Sequence, residues 1–183
     1  CYLLVVGYQR TRSVKKYSIR LLAIALLSQF PFMYAFNIYN LNVVFTLLFG
    51  LLLIIAMDRI PRKWMAVSIV LAMVVALIAE ELHTDYGAYG ILLILIFRYA
   101  PGYWAVLFHM ILNIVFLLNG WNSSIQSFSI IATLIIAIQQ QTENTSSQSL
   151  GLPRAPGWLW RAFYPVHLAI IAIIVQGIRF GYF

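Results

Sequence analysis

Three of the five acidic residues of this 183-residue chain, Glu80, Glu81 and Asp85, fall within six positions, with His83 between them. Carboxylates so placed can hold an ammonium group, take up a proton, or accept hydrogen bonds from the free N–H groups of a helix start. Asp85 opens "DYGAYG", so both a helix cap and a site carboxylate fit it, while Glu80 and Glu81 read as a solvated loop. Farther on, Tyr164 and His167 in "FYPVHL" are three apart and share a helical face. An imidazole exchanges protons near neutrality, since its ordinary pKa is about 6.5. Pro165 between them is expected in the first helical turn, where a missing N–H costs little.

Two further pairs stand four apart. His109 and Asn113 lie deep in "LFHMILNIV", and an ionisable group in hydrocarbon either works or is bonded between helices. Asn42 and Thr46 follow Asn37 and Asn40, with Asn40 the expected helix cap; their shared face either bonds a neighbouring helix or lines a polar cavity. No metal spacing is present, because His83, His109 and His167 lie on different segments. Nor is there a serine elbow, phosphate loop or haem motif. The one cysteine, Cys1, excludes an intrachain disulfide.

The elements that must carry these groups are apolar. Hydrophobic residues make up 63% of the chain and charged ones 9%, against roughly a quarter charged in soluble domains. The expected fold class is all-α, a polytopic helical bundle integral to the membrane and forming one transmembrane domain. Seven spans are expected: Ser18–Phe36, Leu41–Met57, Trp64–Ala79, Tyr86–Tyr99, Tyr103–Leu118, Ile125–Ile138 and Ala162–Phe180. "CYLLVVGY" reads as the end of a truncated N-terminal helix. Residues 139–159, polar and rich in Ser, Pro and Gly, read as a flexible cytoplasmic loop.

Strict alternation of these spans sorts eleven of the twelve Lys and Arg to one side. The positive-inside rule makes that side cytoplasmic and puts the acidic cluster at the outer surface. The net charge of +7 is thereby a matter of orientation. It forms no basic stripe of the kind that binds nucleic acid. The expected location is the inner (plasma) membrane, and the lipid bilayer is the first partner.

Four blocks, "GYQRTRSVKKYSIRLLAIALLSQFPF", "LNVVFTLLFGLLL", "DYGAYGILLIL" and "FYPVHL", resemble in order and spacing the TraX family of conjugative-pilin acetylases. The residues carrying the resemblance are Arg20, Ser28, Gln29 and Pro31, then Asn42 and Thr46, then Asp85, Tyr86 and Gly87, then Tyr164, Pro165 and His167. The family begins with a helix bearing an Asp-His pair that is not in this chain, and Val6 stands where relatives often have an acidic residue. The resemblance implies acetyl transfer from cytoplasmic acetyl-CoA to an amine or hydroxyl, with pilin or another exported protein as acceptor.

On that reading Arg10, Arg12, Lys15, Lys16 and Arg20 attract the phosphates of the donor. His167 is the base, Tyr164 the oxyanion donor, and Asp85 and Asn42 hold the acceptor. Gln29, Thr46, Tyr86, His109 and Asn113 complete the expected substrate-binding set. The competing readings are a small-solute transporter, although no duplicated halves are visible, and a non-enzymatic membrane assembly partner.

Overall fold

The computed structural model describes residues 1–100, 102–120, 128–145 and 157–179. Among these the chain is helical, with no β-strand and a single isolated bridge between Leu41 and Thr84. The helices are α1 (Tyr2–Arg10), α2 (Val14–Phe36), α3 (Val43–Met57), a 3-10 turn (Arg62–Trp64), α4 (Met65–Glu81), α5 (Gly87–Tyr99), α6 (Tyr103–Leu118), α7 (Ser129–Thr145) and α8 (Gly157–Arg179). Two stretches, Val14–Phe36 and Arg62–Glu81, are long and apolar enough to cross a membrane; five further apolar helices are shorter. Large apolar side chains such as Leu27, Phe30 and Leu77 are exposed, as lipid-facing residues of a membrane-associated bundle would be.

Several boundaries differ from expectation. α7 spans Ser129–Thr145, so residues 139–145 are helical; 125–127 of the expected span and 146–156 lie outside the described residues. α8 begins at Gly157, five residues before the expected start. Pro165 is therefore inside the helix and not in its first turn. Its missing N–H leaves the carbonyl of residue 161 without an intrahelical partner.

α3 and α5 form the centre. Leu51, Ile54 and Ile94 are fully buried there with Leu4 and Val5 of α1, and Leu53 and Ile91 pack with Ala79 of α4. α3 and α5 approach closely at Gly90, where a Cβ would collide with the Thr46 methyl and the Tyr86 Cβ. Small residues serve this purpose in membrane bundles, where apolar contact alone gives no preference for helix over lipid.

The level at which α3 starts is set by one buried asparagine. Asn42, not Asn40, is the cap of α3: its Oδ1 accepts from the Val44 N–H at 3.0 Å. Its Nδ2 donates to the Ala25 carbonyl at 2.8 Å and to Gln29 Oε1 at 3.0 Å, and its own backbone N–H donates to the same Oε1 at 3.1 Å. Gln29 Nε2 in turn donates to the Asn40 carbonyl at 2.8 Å. Ala25 and Gln29 lie along the middle of α2. At about 1.5 Å per residue, the start of α3 is thus roughly 10–16 Å below the Phe36 end of α2.

The 82–86 loop is fastened at the same level. The Leu41 N–H donates to the His83 carbonyl at 3.1 Å, and the Asp85 N–H to the Leu41 carbonyl at 2.9 Å. The acidic cluster is consequently level with the middle of α2 and not with its Phe36 end. This also explains the shortness of α5: its start is held at mid-height on α2.

α8 packs along α2. The Tyr164 hydroxyl lies against the Val43 amide, and Gln176 Nε2 donates to the Tyr34 carbonyl at 3.0 Å. The two contacts, twelve residues apart on α8, make it run parallel to α2. Their upper halves stand beyond the recessed layer.

At the opposite end Asp58, directly after α3, gathers three helices. It accepts from Tyr8 Oη at 2.9 Å, Tyr99 Oη at 3.1 Å and Arg98 Nη2 at 2.8 Å. Burial works to raise its pKa, but the hydrogen bonds from Arg98 and Tyr8 and the guanidinium charge outweigh it and hold the carboxyl below its usual range.

Two outcomes follow. Asn42→Ala removes a cap and strands buried partners, so it should cost about 2–4 kcal/mol, read as a lowered unfolding midpoint in detergent. Asp58→Asn should also be less stable at pH 7. Because the folded-state pKa is depressed, that deficit is present above the ordinary 3.8 and is lost as pH falls through the depressed value; midpoints measured across this range check it.

Candidate active site

The fastened loops border a cleft of ≈ 430 Å³, lined by Asn40, Glu80, His83, Asp85, Tyr86 and Asn119 among others, with Phe116 on its wall. Local structure explains which groups are free in it. The start of α5 is capped not by Asp85 but by two other side chains: Thr84 Oγ1 accepts from the Gly87 N–H at 3.1 Å, and Glu80 Oε2 from the Ala88 N–H at 2.9 Å. Gly87 has φ 45° and any Cβ there would meet the Glu80 carboxylate, so this position requires glycine. With the cap supplied elsewhere, the Asp85 carboxylate has no hydrogen-bond partner among the described residues. Partial burial pushes its pKa up.

His83 is the residue the sequence reading set aside. It holds a left-handed backbone, φ 49°, a conformation that His, with Asn and Asp, adopts more readily than other side chains. Its Nδ1 is 2.8 Å from the Glu81 carbonyl. A carbonyl can only accept, so Nδ1 carries the proton and Nε2 keeps a basic lone pair. The signal available in the sequence was its place inside the acidic cluster, but its positive φ could not be read from residue type.

α8 brings the second group of side chains. Tyr164 lies within electrostatic reach of Asp85 and Tyr86 while its oxygen faces the Val43 N–H. Val43 is the first residue of α3, so the positive end of that helix points at the phenol oxygen. His167 stands one turn along, its ring edge-on to Tyr164 with centroids 5.3 Å apart. Its Nδ1 is 2.8 Å from the Phe163 carbonyl, which again leaves Nε2 as the basic nitrogen.

The model of the TraX protein family matches residues 1–175. The chain belongs to the TraX family. This sets it among proteins of conjugation that are associated with pilin. No curated protein and no solved structure matches it.

The four blocks by which the chain resembles the TraX family divide in this structure between scaffold and cleft. Asp85, Tyr86 and Tyr164 are brought together, with His167 adjoining. Asn42 is not available to hold an acceptor: it is fully buried and both Nδ2 hydrogens are engaged. Gln29 is its partner in the clasp. Thr46, also buried, packs its methyl against Gly90, and its hydroxyl has no partner among the described residues.

His109 and Asn113 are likewise structural. His109 is 1% exposed. Its Nδ1 is 2.7 Å from Thr133 Oγ1 and its Nε2 is 2.8 Å from Tyr89 Oη. Thr133 Oγ1 donates onward to the Ser129 carbonyl, so it accepts from Nδ1–H and the tyrosine donates to Nε2. Asn113 Nδ2 donates to the His109 carbonyl at 2.9 Å. The group ties α5, α6 and α7 together.

Arg10, Arg12, Lys15, Lys16 and Arg20 are all exposed at and just after the α1–α2 turn. Ser13 Oγ caps α2 there by accepting from the Lys16 N–H at 3.4 Å. No carboxylate pairs with these five cations among the described residues. From Val14 to the Ala25 level of the clasp is roughly 17 Å of helix.

A carboxyl whose pKa is raised in the folded state favours folding only while protonated. For Asp85 that contribution is complete below the ordinary 3.8 and is lost as pH rises through the raised value. Asp85→Asn should therefore raise the unfolding midpoint at pH 7, and its advantage should vanish below pH 3.8; melts at the two pH values check the difference.

Proposed function

We propose that this TraX protein is a membrane-embedded acetyltransferase that carries an acetyl group from cytoplasmic acetyl-CoA to the amine of a pilin-like acceptor. The observation that carries this reading is the unpartnered Asp85 carboxylate in a recessed cleft beside Tyr164. Its neighbours spend their hydrogen bonds on the fold, and it does not.

The helices are proposed to cross the inner membrane seven times, the shorter ones included, with the basic turn at residues 10–16 in the cytoplasm. The five exposed cations fit the phosphates of acetyl-CoA by charge. The acyl thioester would then travel along α2 towards Tyr164. An α-amine, with a pKa near 8, enters largely as ammonium. Asp85 holds it, and His167 Nε2 takes the proton that frees its lone pair. Attack on the thioester carbonyl places negative charge on oxygen, and the Tyr164 hydroxyl donates to it, supported by the positive end of α3. Collapse breaks the carbon–sulfur bond. The second amine proton passes to the thiolate of CoA, and the one held by His167 returns to water.

In membranes carrying the complete protein, transfer of labelled acetyl from acetyl-CoA to an acceptor amine should fall about 10²–10⁴-fold in His167→Gln, the range for loss of a general base. Asp85→Asn should raise the KM for the amine more than it lowers kcat. Full activity of both variants would refute the assignment.

A further inference from the structure

A second cavity, of ≈ 660 Å³, lies at the Asp58 end of the bundle, between the turn that joins α3 to α4 and the last turn of α5. Its walls have two characters. Met57, Ile60, Pro61 and Met65 are apolar, whereas Arg62 and Arg98 bring guanidinium groups. Asp58 is the one carboxylate among the lining residues, and it already accepts from three donors. Arg98 is held in place: Nη2 donates to Asp58 at 2.8 Å, and Cζ lies 5.7 Å and 5.6 Å from the ring centres of Tyr8 and Tyr99. Its Nη1 has no partner among the described residues, and neither has the exposed Arg62 guanidinium. Fixed guanidinium groups with free N–H donors suit phosphate oxygens.

We propose that this cavity holds the phosphodiester of an anionic phospholipid, with an acyl chain lying along α4. The proposal needs the helices to stand in a bilayer and does not depend on acetyl transfer. Three observations select a lipid over a free phosphate. Met65 lines the cavity, and Ile69 and Met73 follow it at four-residue intervals on the same face, all three exposed. That stripe covers about 12 Å of helix, an apolar track that an acyl chain uses and a water-borne anion does not. Trp64 on the 3-10 turn and Tyr99 on the cavity wall are both exposed, and such aromatic residues sit at the headgroup level of a membrane. Arg59 and Lys63 stand exposed on the same turn, and basic pockets between membrane helices on the cytoplasmic side are where anionic headgroups bind.

The complete protein in a neutral detergent is titrated with acyl-labelled phosphatidylglycerol and, separately, with phosphatidylcholine. One saturable site should appear, at least tenfold tighter for the anionic lipid. Arg62→Gln should weaken it about fivefold, the share of one cation beside a headgroup. Ser68→Phe, which fills the cavity without altering charge, should weaken it at least tenfold. Lys16→Gln removes an exposed cation from the other basic turn at this end, and it should change the affinity less than twofold. Inorganic phosphate and coenzyme A, each in large excess, should leave the lipid bound. Equal binding of the two lipids would overturn the proposal, as would an equal loss in Lys16→Gln and Arg62→Gln. So would displacement by coenzyme A or phosphate, or unaltered affinity in Arg62→Gln. If Ser68→Phe does not fold, Arg62→Gln on its exposed turn decides alone.

Discussion

The buried amide of Asn42 is the constraint on which the rest of this structure depends. A chain that turns within an apolar bundle must satisfy its backbone groups without water, since each unsatisfied one costs several kcal/mol. Here the turn before α3 is satisfied by α2 itself, through Ala25 and Gln29. The start of α3 can occupy only the height those partners define. The 82–86 loop joins it through Leu41, α5 starts where that loop ends, and α8 brings Tyr164 to the same height. The cleft is at mid-height because a hydrogen-bonding requirement was met there.

The two ends treat the same residue type in opposite ways. Asp58 has three donors and a guanidinium charge, and it joins α1, α3 and α5. Asp85 has no such partner, because Thr84 and Glu80 do the capping. A carboxylate withdrawn from water is expected to be bonded, as Asp58 is. Asp85 is exposed on the cleft wall, where solvent can satisfy its carboxylate, so the fold itself makes no use of its charge.

The helical class and the apolar segments were legible in the sequence, since composition and hydropathy runs report apolar helices directly. Tyr103–Leu118 was found at its true ends. What failed were judgements that depend on neighbours remote in sequence. Asn42 looked like a binding residue because isolated polar residues in apolar runs do; its partners lie on another helix. His109 misled in the same way, being closed off by Thr133 and Tyr89. The depth of the acidic cluster could not be read from loop charge, which sorts segments into two sides but assigns no heights. The start of α8 lies earlier than expected because the single charge of Arg161 looks like the end of a loop when hydropathy alone is followed.

The parallel pairing of α2 with α8 also bears on how such a protein is made. The Tyr164 phenol comes from α8 and the amide it faces from α3, with more than half the chain between them. During synthesis α2 and α3 can clasp at Asn42, and the 82–86 loop can join them, while α8 is still untranslated. The face of α2 that α8 covers therefore stays without its neighbour until the last described helix has been made.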